Sequence, residues 1–204
     1  MSRAIDFYYD FSSPYAYLGA TQLERVAQAH GASIRWRPML LGALFKAIGT
    51  PVVPLAAASE PKRRYLQRDV LDWAEYWGVE FRWPSRFPMR TVAALRLALA
   101  AGEARLPAIS HALFRAYWVE DRDLADPAEL RQIAAGVGLD AAAVERGLAP
   151  DPAIKQALID STDEAIACGV CGAPSFVVRG HLFWGQDRLE LVERTLDGWD
   201  PPTL

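Results

Sequence analysis

Few side chains in this 204-residue sequence are placed to do chemistry, and the most telling is Ser13. It ends the aromatic run Ile5-Asp6-Phe7-Tyr8-Tyr9-Asp10-Phe11 and precedes Pro14 and a long amphipathic stretch. Ser13 reads as a helix N-cap and Pro14 as the first helical residue, where a missing N–H costs nothing. A hydroxyl so placed sits among unpaired backbone N–H groups at the positive end of a helix, a setting that favours an anion. On pattern alone, the same Ser-Pro is also a plain cap. Far downstream stands Gly172-Ala173-Pro174-Ser175-Phe176-Val177-Val178, a proline opening an apolar strand, at a position that tolerates a lost donor. Cys168 and Cys171 have the spacing of a redox pair. Redox pairs owe their reactive thiols to a helix N-terminus, whereas this pair falls where a helix ends. Two small buried side chains near a turn are therefore expected. No second ligand pair completes a zinc site, and His30, His111 and His181 show no triad spacing.

The elements that must position these residues are legible from periodicity. Residues 4–10 read as a strand and 14–30 as a helix with Leu18, Leu23, Val26 and Ala27 on one face and Gly31 as its stop. Residues 33–37 alternate Ile34 and Trp36 with polar neighbours and end at Pro38, a second strand. Helices are then predicted over 61–77, 91–101, 106–119, 127–135, 141–148 and 152–167, several opening on Pro or Asp-Pro. The stripe Leu66, Val70, Trp73 and Trp77 reads as core, and Lys62 as solvated. Residues 49–60 and 81–88 read as loops. Strands return at 175–178 and 181–184 across an Arg179-Gly180 turn, before a last helix carrying Leu189, Leu191, Val192 and Leu196.

Composition bounds the function. Apolar residues make up 51% and charged residues 23%, enough for a full core. A formal charge of −3 leaves no basic surplus for nucleic acid. No apolar run reaches the ~18 residues of a membrane span, and no leader pattern is visible. A cytoplasmic protein is expected.

The order β-α-β, helical block, β-β-α is similar to an α/β thioredoxin-like (DsbA-like) fold split by an all-helical insertion. Residues 1–40 plus 168–204 would form the thioredoxin-like domain and 41–167 the inserted helical domain, an easy arrangement when the two break points lie close together. Thioredoxin-like domains carry Cys-Pro-x-Cys at the first strand–helix junction; here the junction is Ser13-Pro14-Tyr15-Ala16, with both sulfurs gone. A thiolate held there must arrive on a ligand. Such folds also use a cis-proline where Pro174 falls, so that the preceding residue offers its backbone to an extended peptide.

The sequence resembles, over essentially its whole length, the glutathione-dependent 2-hydroxychromene-2-carboxylate isomerases, neighbours of kappa-class glutathione transferases and DsbA-like oxidoreductases. The resemblance is carried by FYYDFSSPYAYLG at 7–19, KRRYLQRDVLDWAEYWG at 62–78, FPMRT at 87–91, FRAYWVEDRDLADPAEL at 114–130, GVCGAPSFVV at 169–178 and FWGQDRL at 183–189. It implies that Ser13 holds the glutathione sulfur and is the catalytic residue. It implies that the Ala173 backbone pairs with the cysteine portion of glutathione. Trp184, Gly185, Gln186 and Asp187 would receive the γ-glutamyl end, with Asp187 facing its ammonium group. Lys46 and Phe87 match substrate-side positions, a cation and an aromatic wall; on pattern alone they are an exposed helix-end lysine and a packing aromatic. Gln186 stands where relatives often have Asn or Ser, and Thr50 where kappa-class relatives have a ligand-binding Asn. The implied reaction is cis–trans isomerisation of an aromatic keto acid by reversible thiolate addition, in aromatic-compound breakdown, with glutathione as cofactor and the chain a homodimer. The alternatives are a kappa-type transferase, which releases a conjugate, a disulfide oxidoreductase, which needs the missing cysteines, and a non-catalytic glutathione-binding protein.

Overall fold

The computed structural model describes residues 3–149 and 151–202. Strand β1 (Ala4–Tyr9) is followed by α1 (Pro14–Ala29) and β2 (Ser33–Pro38); β3 (Ser175–Val178) and β4 (His181–Trp184) return near the end. They form one mixed sheet of order β2-β1-β3-β4, with β1 parallel to β2 and antiparallel to β3. The right neighbours meet because β1 is buried on both faces. Phe7 stacks on Phe176 at 5.4 Å and on Tyr9 at 5.0 Å, and meets Trp36 edge-on at 5.1 Å. Aromatic cross-strand contacts of this kind fix register beyond their area burial. This is the DsbA-like thioredoxin fold expected from the element order.

Between β2 and β3 run α2 (Leu41–Ile48), α3 (Pro54–Ala57), α4 (Glu60–Trp77), α5 (Val92–Ala100), α6 (Leu106–Trp118), α7 (Pro127–Gly136), α8 (Ala141–Leu148) and α9 (Pro152–Ala167). After β4 come a 3-10 turn at Gln186–Arg188 and α10 (Leu189–Leu196). Asp126, Asp140 and Asp151 cap α7, α8 and α9 through their carboxylates, the first-turn chemistry that made these helices readable. The Arg179-Gly180 turn has positive φ at both residues, 51° and 83°, as a two-residue hairpin requires.

One expectation is corrected: α3 falls inside the stretch 49–60 expected to be loop. Residues 41–48, where the sequence marks a helix only by Lys46 at its end, form α2. The N-cap position of α2 is Leu40, whose side chain caps nothing. The missing partners are supplied from afar, Thr162 Oγ1 accepting from Leu40 N at 3.0 Å and Asp10 Oδ2 from Leu41 N at 2.9 Å. The stripe on α4 is only partly core: Val70 is buried, while Leu66, Trp73 and Trp77 are half-buried. Lys62 is exposed, as expected. Among the described residues, no helix is long and apolar enough to cross a membrane.

Candidate active site

Ser13 is the N-cap of α1 and is 6% exposed. Its Oγ accepts from Ala16 N at 3.1 Å, the cap bond the sequence predicts. Its proton has another destination. Ser13 Oγ donates to the Ala173 carbonyl at 2.7 Å, across 160 positions of sequence. The Ala173–Pro174 peptide is cis. Ser13 and the residue before the cis-proline therefore face one another, as the junction predicts.

Several small groups let these pieces approach. A Cβ on Gly19 would lie 3.3 Å from Pro174 Cγ, so α1 passes close over the proline ring. The Pro174 carbonyl accepts from Gly185 N at 3.0 Å, tying the segment after β4 to the same place. A Cβ on Gly172 would fall 2.5 Å from Trp184 Nε1, so the exposed Trp184 indole lies directly on the Gly172 backbone. At Gly185 the backbone φ of +110° favours glycine, and the exposed Asp187 carboxylate lies against the space where a Cβ would stand. Asp187 is exposed and 3.3 Å from Arg188 Nη1. Gln186 is buried as a residue, while its side-chain amide bonds to none of the described residues and keeps access to solvent. Nor does any described group accept from Ala173 N–H.

Lys46 and Phe87 are placed differently. Lys46 is on the exposed last turn of α2, with no ion pair to any described residue. Phe87 is half-buried against Trp83 at 5.5 Å and Trp118 at 6.0 Å. The cluster reaches the turn before Ser13 through Trp118 Nε1, which donates to the Phe11 carbonyl at 2.9 Å. Thr50 is half-buried at the end of α2, its N–H bonded to the Phe45 carbonyl.

The cysteines need one correction. Cys168 is the C-cap of α9 and is exposed rather than buried, because it ends the helix at the surface. Cys171 is half-buried, and desolvation pushes its thiol above the ordinary range. Both are free thiols. Neither sits at a helix N-terminus. Among the described residues, no group of three or more His, Cys, Asp and Glu could hold a metal.

Two neighbours of Ser13 went unread in the sequence. Tyr15 Oη donates to Asp69 Oδ2 of α4 at 2.8 Å, and burial, then the Asp69 bond, pushes the phenol upward; Asp187 adds to the same shift from nearby. Asp10 is 1% exposed and accepts from Ser12 N, Thr91 Oγ1 and Leu41 N. A charged residue closing a strand that is otherwise nearly all apolar was the available signal. The residues present suit an extended peptide thiol. They offer a buried hydroxyl at a helix N-terminus, a free N–H beside a cis-proline, and an unpaired amide and exposed carboxylate one segment away.

Comparison with known proteins bears on this arrangement. The profile of the DSBA-like thioredoxin domain matches residues 4–197. A 2-hydroxychromene-2-carboxylate isomerase of Sphingobium xenophagum is 32% identical over 96% of this chain and 99% of its own length. Glutathione S-transferase kappa 1 of Homo sapiens is 26% identical, over 99% and 95%. The solved structure of a 2-hydroxychromene-2-carboxylate isomerase superposes with a TM-score of 0.83 at 29% identity, covering 95% of this chain and 94% of that one. The chain belongs to the DSBA-like thioredoxin domain family, alongside the 2-hydroxychromene-2-carboxylate isomerases.

Proposed function

We propose that the protein is a glutathione-dependent isomerase acting on 2-hydroxychromene-2-carboxylate or a related aromatic keto acid. The observation that carries the reading is the Ser13 hydroxyl, buried at the N-terminus of α1 and 2.7 Å from the carbonyl before cis-Pro174. Relatives named for this isomerisation and for kappa-class glutathione transfer, matching nearly the whole chain, support it. Bound glutathione supplies a thiolate that adds reversibly to the conjugated double bond, so that the bond can turn. Everything else is the protein's task.

Ser13 donates to the sulfur and, with the α1 N–H groups, favours its anionic form near neutral pH. Ala173 pairs its N–H with the cysteinyl backbone. Asp187 and Gln186 receive the γ-glutamyl end by charge-assisted and neutral hydrogen bonds. Phe87 and Trp83, backed by the buried Trp118, form an apolar wall for a planar ring, and Lys46 attracts the carboxylate of the substrate. No histidine is needed, since the serine stabilises charge and transfers no proton.

Purified protein mixed with 2-hydroxychromene-2-carboxylate should isomerise it only when glutathione is present, and glutathione should be recovered unchanged. Accumulating conjugate would make the protein a transferase instead. Failure to bind glutathione in calorimetry would remove the proposal.

A further inference from the structure

Among the described residues, Asp10 is the one carboxylate buried beside Ser13, and the reaction proposed above gives it no task. Its four residues of chain, Asp10 to Ser13, form the turn that carries the serine. Asp10 Oδ1 accepts from Ser12 N at 2.9 Å, and its own carbonyl accepts from Ser13 N at 3.1 Å. The side chain thus closes the turn from within, as aspartate does in a side-chain turn.

The remaining acceptor capacity goes to the inserted helices. Oδ2 accepts from Leu41 N, the first residue of α2, at 2.9 Å. Oδ1 also accepts from Thr91 Oγ1 at 2.6 Å, immediately before α5. Both helices are altered by this. Helix α2 has no cap from its own Leu40, so a carboxylate 31 residues earlier takes that role. Thr91 stands at the N-cap of α5 but makes no cap bond there, because its hydroxyl is turned to Asp10. Three donors on one buried carboxylate favour its charged form, while burial opposes it and pushes the carboxyl upward.

We propose that Asp10 is a positioning residue, a clamp that holds the Ser13 turn at a fixed setting against the starts of α2 and α5. It ties the glutathione half of the site to the half that carries Lys46 and Phe87. The clamp touches neither ligand and acts through Ser13. If one donor is withdrawn, the buried charge loses compensation and the other two bonds weaken with it.

The inference rests on the glutathione reading, and its test separates the two. Glutathione affinity is measured by calorimetry, and thiolate formation by ultraviolet absorbance against pH, well below each variant's melting temperature. Thr91→Val removes one donor while leaving the Ser13 turn's own residues intact, and should weaken glutathione binding about tenfold, the equivalent of one charged hydrogen bond. It should also raise the pH at which the bound thiol ionises. Thr91→Ser keeps the hydroxyl and should restore both to within about twofold of the parent. Asp10→Asn turns an amide against a donor and should exceed the Thr91→Val effect. A Thr91→Val protein with lower melting temperature but unchanged affinity and thiol titration overturns the clamp and leaves the glutathione reading standing. A parent protein that binds no glutathione overturns both.

Discussion

Replacing Ser13 by alanine separates what the hydroxyl does for the fold from what it does for a bound thiolate. In the free protein the hydroxyl takes part in two bonds, donating to Ala173 O and accepting from Ala16 N. Losing the cap contact costs about 1 kcal/mol, and leaving a buried carbonyl short of its donor costs about 1 to 2 kcal/mol more. For a chain of this size each kcal/mol moves Tm by roughly 2 to 4 °C, so Ser13→Ala should melt about 4 to 12 °C lower. The effect on the thiolate is smaller than a bare hydrogen bond suggests. A charge-assisted bond from the serine is worth about 1.5 to 3 kcal/mol. Serine has a single proton, however, and it is already given to Ala173 O. Breaking that neutral bond returns about 0.5 to 1.5 kcal/mol of the gain. Taking the middle of each range, the net of about 1.2 kcal/mol corresponds to roughly one pKa unit and a tenfold change in thiolate below the titration midpoint. The α1 dipole persists in the variant and retains up to about 1 kcal/mol of stabilisation. An absorbance titration of bound glutathione should therefore shift upward by about one unit in Ser13→Ala, with kcat falling about tenfold at pH values well below the parent's titration midpoint and by less as the pH approaches that midpoint. An unshifted titration in a folded, glutathione-binding variant would refute the assignment of Ser13 as the donor to sulfur.

Other consequences can be checked independently. A Cβ on Gly147 would sit 2.6 Å from the Leu97 Cα, where α8 crosses the backbone of α5, so Gly147→Ala should cost about 2 to 3 kcal/mol by denaturant unfolding while glutathione affinity stays at the parent value. Gly172→Ala should do the opposite: the clash is with the exposed Trp184 ring, which can swing away, so calorimetry should show weaker glutathione binding with a Tm change of only a few degrees, about 1 kcal/mol. Burial raises the Cys171 thiol, which reduces its thiolate at neutral pH; alkylation followed by mass spectrometry should label the exposed Cys168 first, and Cys168→Ser should leave only the slow site.

The frame of the fold was readable because its signals are local. Alternation and prolines mark the four strands, Asp-Pro caps mark α7 and α9, and Gly31 and Gly78 stop α1 and α4 with left-handed backbone. The start of α2 was not legible because the N–H groups of Leu40 and Leu41 are satisfied by Thr162 and Asp10, partners that no window around residue 41 contains. In the site, the Ser13-Pro14 cap and the strand-opening Pro174 were legible from their own chemistry. That they share one hydrogen bond was not, since proximity across 160 positions is a property of sheet order. Asp10 was hidden in the same way: its hold on residues 41 and 91 exists only once the helices between β2 and β3 are packed. Cys168 was misjudged because a turn after a helix can face either way, and here it faces water.

The placement of Trp184 gives the molecule an optical handle. Of its seven tryptophans, this is the one with an exposed ring, and it leans on the glycine that leads into the cis-proline. The other six are wholly or partly shielded and supply a steady emission background. A ligand that contacts the backbone beside Gly172 would change the surroundings of that indole, so its binding should alter the intrinsic fluorescence of the unlabelled protein, without attaching a dye.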